Sequence, residues 1–215
     1  MDATSLKHKH RQLRDAQPES LRVRVHRAIS WLARAERETD DTDARFLFQW
    51  IAFNACYASE FGFESGERVE TRRFIERVLA LDHEQRLHQV LFEQFSGPIR
   101  TLIGNHYVHE PFWRALREHD SSARWRTGFD TERKRAFEAL MDKRTDVVLC
   151  VVLDRLHTLR NQTVHGGATW NSSANRAQLA DAARILGSIL PIIIDLLMDP
   201  AADGFGDVAY PLVAG

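Results

Sequence analysis

The sequence predicts an all-α protein, a bundle of roughly four to five long helices. Apolar residues recur at helical spacing through most of the chain, and no run alternates as a half-buried strand would. Glycines, prolines and short polar clusters separate these stretches, as turns between helices require. The chain has 215 residues, 44% hydrophobic and 27% charged, enough to bury a sizeable core. Together these observations point to a single helical domain over residues 18–198, flanked by a flexible basic arm (1–17) and a loose acidic tail (199–215).

The elements follow in order. Pro18, Glu19 and Ser20 open a helix reaching about Thr39, with Ile29, Leu32 and Ala33 on one face and Trp31 beside them. "DDTD" (40–43) supplies short oxygen-bearing side chains to cap the next helix, "ARFLFQWIAFNACYASE". That helix is apolar almost all round, which marks it as central, and Gly62 and Gly66 punctuate its end. "ERVETRRFIERVLAL" and "HEQRLHQVLFEQF" read as two further helices. Residues 96–130 are less regular and read as a helical and irregular insertion, net basic through Arg100, Arg114, Arg117, Arg124 and Arg126. "TERKRAFEALMDKR" resumes the core, and "TDVVLCVVLDRLHTLRNQTVH" follows, apolar at first and polar toward its end. Gly166 and Gly167 stop it. The last long helix starts from a cap at Asn171 or Ser172, and Pro191 is expected to kink it.

Charge is uneven. Residues 1–37 hold nine Lys or Arg against four acids, a local +5 that leaves −6 for the remainder of a chain of net charge −1. Such a patch suits an anionic partner or a solvated helix face. Cys56 and Cys150 lie in apolar runs, as buried free thiols do in a reducing compartment. The first residues lack the apolar core of a signal peptide. The most apolar run, "ILGSILPIIIDLL", is too short to span a bilayer. A cytoplasmic protein without a membrane partner is expected, so the glycosylation patterns at Asn161 and Asn171 carry no meaning.

"LRNQTVHGG" (159–167) holds the residues with the most chemistry. Arg160 can grip two phosphate oxygens, and His165 can exchange a proton near neutral pH. On a phosphodiester, this pair suits attack by a ribose 2′-hydroxyl on the adjacent phosphorus. In a continuous helix the two would point about 140° apart. Either the helix ends early and His165 swings back, or two chains face each other. A helix C-terminus also attracts arginine, asparagine and histidine for structural reasons alone.

"RNQTVH" resembles the Arg-x(4–6)-His motif of the HEPN superfamily, in which a polar residue often follows the arginine. The setting is similar too: the motif ends the next-to-last long helix, and "DARFLFQWIAFNACYA" resembles the early core helix of bacterial HEPN proteins. The resemblance covers most of residues 20–198. It implies a HEPN-like bundle, commonly dimeric, that cleaves RNA without a metal or other cofactor, in toxin–antitoxin pairs, phage defence or stress response. It implies that Arg160 contacts the scissile phosphate, that His165 transfers the proton and that Asn161 orients the arginine or the RNA. RNA, a second copy of the chain and an antitoxin protein are the partners it implies. Some members of the family are inactive and only bind RNA or a partner protein, which is the alternative here. A helical scaffold with no nucleic-acid role is the third reading.

His157 lies one turn before Arg160 and shares its face. Asn54 and Tyr57 share a face of their helix, either as buried polar groups with core partners or as lining of an RNA cleft. "HEQRLH" (83–88) is one residue too long for the zinc-protease spacing, which leaves an exposed helix. His106 and His109 lack further ligands to complete a metal set. "HKH" (8–10) belongs to the arm.

Overall fold

The computed structural model describes residues 1–57, 67–173, 175–208 and 210–211, and every regular element among them is helical. Among the described residues these are α1 (Ala3–Leu13), α2 (Glu19–Ala35), α3 (Thr42–Tyr57), α4 (Glu67–Leu81), α5 (Arg86–Gln89), α6 (Ser96–Gly104), α7 (Glu110–Arg117), α8 (Arg124–Met141), α9 (Thr145–Val164) and α10 (Arg176–Leu196). A π-helical turn extends α5 over Val90–Gln94, and a 3₁₀ turn covers His106–Val108. The chain divides into two compact units, Met1–Leu87 with Ala182–Gly215, and His88–Asp181. The single domain expected over 18–198 is thus shared between two units. The ends expected at Gly62 and Gly66 lie outside the described residues. No helix among the described residues is long and apolar enough to cross a membrane.

In unit 1 the segment read as a flexible arm is a packed helix. Asp2 caps α1 by accepting from the Ser5 amide at 2.8 Å. Ala3, Leu6 and His10 recur at helical spacing and are buried, and α1 packs against α2. Burial and the neighbouring His26 lower the pKa of His10. Lys9 reaches Asp195 of α10 at 2.6 Å, and Arg86 reaches the other oxygen of that carboxylate at 2.9 Å. Sequence patterning missed α1 because only three of its positions are covered.

α2 and α3 form the main helix pair of the unit. α2 buries Leu21, Val25, Ala28, Ile29, Leu32 and Ala35, a stripe at i, i+3 and i+4 spacing. Asp41 caps α3, taking the Ala44 amide at 2.9 Å, as the polar cluster predicts. Phe46, Trp50, Phe53 and Cys56 then face the core. Burial pushes the Cys56 thiol up to about 12; neither cysteine is in a disulfide, and Cys150 is only half-buried. α10 lies against α3 at Gly187, where a Cβ would come within 2.7 Å of the Gln49 amide nitrogen. Pro191 sits inside α10 without ending it.

Arg24, 1% exposed, closes the unit. Its guanidinium donates to the carbonyls of Cys56 (3.2 Å), Phe205 (3.0 Å), Gly206 (3.2 Å) and Asp207 (2.7 Å). Burial lowers its pKa, opposed by the charges of Cys56 and Asp207. Phe205 is buried against Phe74, with ring centroids 5.8 Å apart. Residues 202–207 of the tail are therefore strapped down, a feature their acidic composition does not reveal.

Unit 2 packs α6, α8 and α9 together. Ile99, Leu102, Ile103, Val108 and Phe129, all within the segment expected as an insertion, belong to its core beside Val148, Leu149, Val152, Leu156 and Leu159. α8 begins at Arg124, earlier than its periodicity predicts, and takes in Gly128.

Two stability predictions follow from unit 1. Arg24→Met strands four carbonyls and should destabilise the fold by about 2–4 kcal/mol, since charged hydrogen bonds contribute about 1.5–3 kcal/mol each and the site relaxes in part. Urea denaturation measures the loss, and limited proteolysis should cut the tail before the core. For Asp195, burial raises the pKa, but hydrogen bonds from Lys9 and Arg86 outweigh it and hold the group below the ordinary aspartate value. A lowered folded-state pKa stabilises above the unfolded value and is lost as pH falls through the folded one. Asp195→Asn should therefore be less stable than wild type at neutral pH. The gap should close below about pH 4, the ordinary aspartate range; thermal melts across pH test this.

Candidate functional site

The polar end of α9 carries the motif, and its geometry follows from how the helix stops. The Gly166 amide donates to the Thr163 carbonyl at 3.4 Å and the Gly167 amide to the Gln162 carbonyl at 2.7 Å. Gly166 has φ +70°. This is a Schellman closure, and it needs glycine where the chain turns left-handed. The helix stays α-helical through Val164, and His165 caps it with φ −92° and ψ 14°. His165 therefore does not swing back, and it remains about 140° from Arg160 around the axis. His165 is exposed, while Arg160 is half-buried.

Arg160 Nη1 donates to Asn161 Oδ1 at 2.8 Å. This contact fixes the planes of the two side chains relative to each other. His157, one turn earlier, is half-buried. Gln162, inside the motif, joins three segments. Its amide nitrogen donates to the Tyr107 carbonyl at 2.6 Å, and its Oε1 accepts from Asn175 at 3.3 Å. With its backbone carbonyl taken by Gly167, it ties the 106–109 turn, Gly167 and Asn175 to the end of α9.

Arg155, two turns before Gln162 and on the same face, holds the same turn. It is 2% exposed. Its Nη1 lies 2.6 Å from His109 Nδ1 and 3.5 Å from the Val108 carbonyl, and Glu132 stands 3.8 Å from Nη2. A guanidinium can only donate, so His109 Nδ1 accepts and the ring proton sits on Nε2.

Asn54 and Tyr57 belong to unit 1, and the end of α9 belongs to unit 2. Tyr57 packs its ring on Phe53 at 5.0 Å and Phe74 at 5.9 Å. Asn54 Oδ1 is buried and accepts no hydrogen bond among the described residues. His83 lies in an exposed turn rather than a helix. His88 pairs with Thr145 at 3.0 Å. His106 stacks at 4.1 Å on Tyr107 while His109 is engaged by Arg155, so the two do not converge. Among the described residues no group of three or more His, Cys, Asp or Glu is placed to hold a metal ion.

Sequence reasoning missed Gln162, Tyr107 and the Arg155–His109 pair. The available signal was Arg155 and Gln162 seven residues apart, two polar positions on one face of the helix. Comparison with protein-family models, with curated proteins and with solved structures finds no match.

Gly166→Ala should destabilise the protein by about 1 kcal/mol, the cost of a Cβ in the left-handed region. Chemical denaturation measures it. An unchanged midpoint would mean that the closure at the end of α9 tolerates a side chain.

Proposed function

We propose that this chain is a metal-independent endoribonuclease of HEPN type, working as a homodimer in toxin–antitoxin, phage-defence or stress-response biology. The observation that supports the reading is the Arg-x4-His spacing at the polar end of α9, with Arg160 paired to Asn161 and His165 exposed. Arg160 would grip the scissile phosphate and stabilise the extra negative charge of the transition state. His165 of one chain would take the proton from the 2′-hydroxyl. The 2′-oxygen then bonds to phosphorus as the bond to the 5′-oxygen breaks. His165 of the second chain would protonate that leaving oxygen. The products are a 2′,3′-cyclic phosphate and a free 5′-hydroxyl. Asn161 would keep the guanidinium plane facing the phosphate, and His157 would line the same side of α9.

The test is cleavage of a mixed RNA pool in EDTA, with mapping of the ends. Wild type should leave 2′,3′-cyclic phosphates. His165→Ala should lose about 10²–10⁴-fold in rate and Arg160→Ala about 10²–10³-fold. Arg160→Lys should not restore activity, because an ammonium lacks the two-pronged geometry. Equal cleavage by wild type and His165→Ala would sink the proposal.

A further inference from the structure

Beside the end of α9, unit 2 leaves large rings in water. Tyr107 is 47% exposed and Trp170 is 73% exposed. The Tyr107 ring lies 4.1 Å from His106, and His106 lies 5.7 Å from Trp125. The Arg126 guanidinium sits 5.4 Å over the Trp125 ring. A row of π-faces thus ends in an exposed cation. Tyr107 also meets Phe112 and Trp113, so its exposed part is held in place and offers a π-face beside the candidate phosphate-handling motif.

We propose that Tyr107 and Trp170 are base-stacking positions for single-stranded RNA passing His165. The proposal rests on the ribonuclease reading of the same end of α9. Unpaired bases stack on aromatic rings whatever their sequence, because every base has a π-face, and a guanidinium can meet either a phosphate or a base. Double-stranded RNA keeps its bases inside the helix and offers no such face.

Gln162 sets the geometry. Its amide holds the backbone of Tyr107 at 2.6 Å, and its Oε1 holds Asn175 at 3.3 Å, at the foot of the loop that bears Trp170. The Tyr107 segment is therefore tied directly to a side chain inside the motif, and Trp170 stands three residues beyond the Gly167 that closes α9. Around α9, Gln162 lies about 60° from His165 and about 160° from Arg160. The Tyr107 segment thus adjoins the side of the proton-transfer group, opposite the side that grips phosphate. Gln162 acts as a positioning residue here, and the rings make the contact.

The experiment measures fluorescence anisotropy of a short, mixed-sequence 2′-O-methyl oligoribonucleotide at low salt, single-stranded and annealed to its complement. The methylated sugar cannot attack the phosphate, so binding is read without cleavage. Tyr107→Ala and Trp170→Ala should each weaken single-strand binding by about five- to 150-fold. Tyr107→Phe should bind as wild type does. The duplex should bind more weakly, with no difference among the variants. The Tyr107 carbonyl that holds Gln162 and Trp113 survives both substitutions, and circular dichroism checks that the helices remain. Alanine variants that bind like wild type, equal losses in Tyr107→Phe and Tyr107→Ala, or no binding by wild type would each overturn the stacking site. Ring-dependent binding without any RNA cleavage by wild type would uphold the stacking site and sink the ribonuclease reading. Cleavage with ring-independent binding would do the reverse.

Discussion

A buried guanidinium has no neutral form to retreat to, so the chain must carry acceptors to it. Each unit is organised around one such group. In unit 1, Arg24 draws in four carbonyls, three of them from the tail at 205–207. In unit 2, Arg155 draws in His109 and the Val108 carbonyl, with Glu132 near enough to offset its charge. In both, an arginine on a long helix fixes a short segment outside the α-helices, the tail in one and the 3₁₀ turn in the other. The end of α9 depends on this. Without Arg155, the 106–109 turn would be held to α9 by Gln162 at one point instead of two.

The helices were largely legible in the sequence because their apolar stripes repeat. α3 and its Asp41 cap stand where pattern and capping chemistry put them. α1 was not legible. Its three buried positions make too short a stripe, and Lys9 earns its place only by meeting Asp195, 186 positions away. The strapped tail was invisible for the same reason: backbone carbonyls, which every sequence has, accept from Arg24. Long-range pairs of this kind leave no periodic trace. α10 also starts at Arg176, later than the expected cap at Asn171 or Ser172, and Asn175 just before it is held by Gln162.

The motif itself was legible as a string, but its environment was not. Arg160, Asn161 and His165 can be read off the spacing. That Asn161 accepts from Arg160 depends on side-chain rotamers, which spacing leaves open. Gln162 looked like filler between the two named residues. Its role emerges only when the 106–109 turn and the 165–175 loop come to it from both sides in sequence. From sequence the same turn reads as surface histidines in a loop or as two metal ligands, yet His109 is buried. Its histidines prove to be engaged, one by Arg155 and one by the ring of Tyr107.

The closure of α9 has a consequence for the proposed chemistry. Arg160 is held one residue from its Asn161 partner within a regular helix, and His165 is held by a cap with three backbone hydrogen bonds across residues 161–167. Bringing the two together within one chain would mean undoing that cap, which strands carbonyls at the helix end. Bringing Arg160 of one chain to His165 of a second chain across a two-fold axis would leave every one of those bonds in place, because neither helix end has to unwind. On the proposed reading, the rigidity of the cap is what makes a second chain part of the site. It also explains how one histidine per chain can fill both proton-transfer roles, since the symmetric pair supplies two.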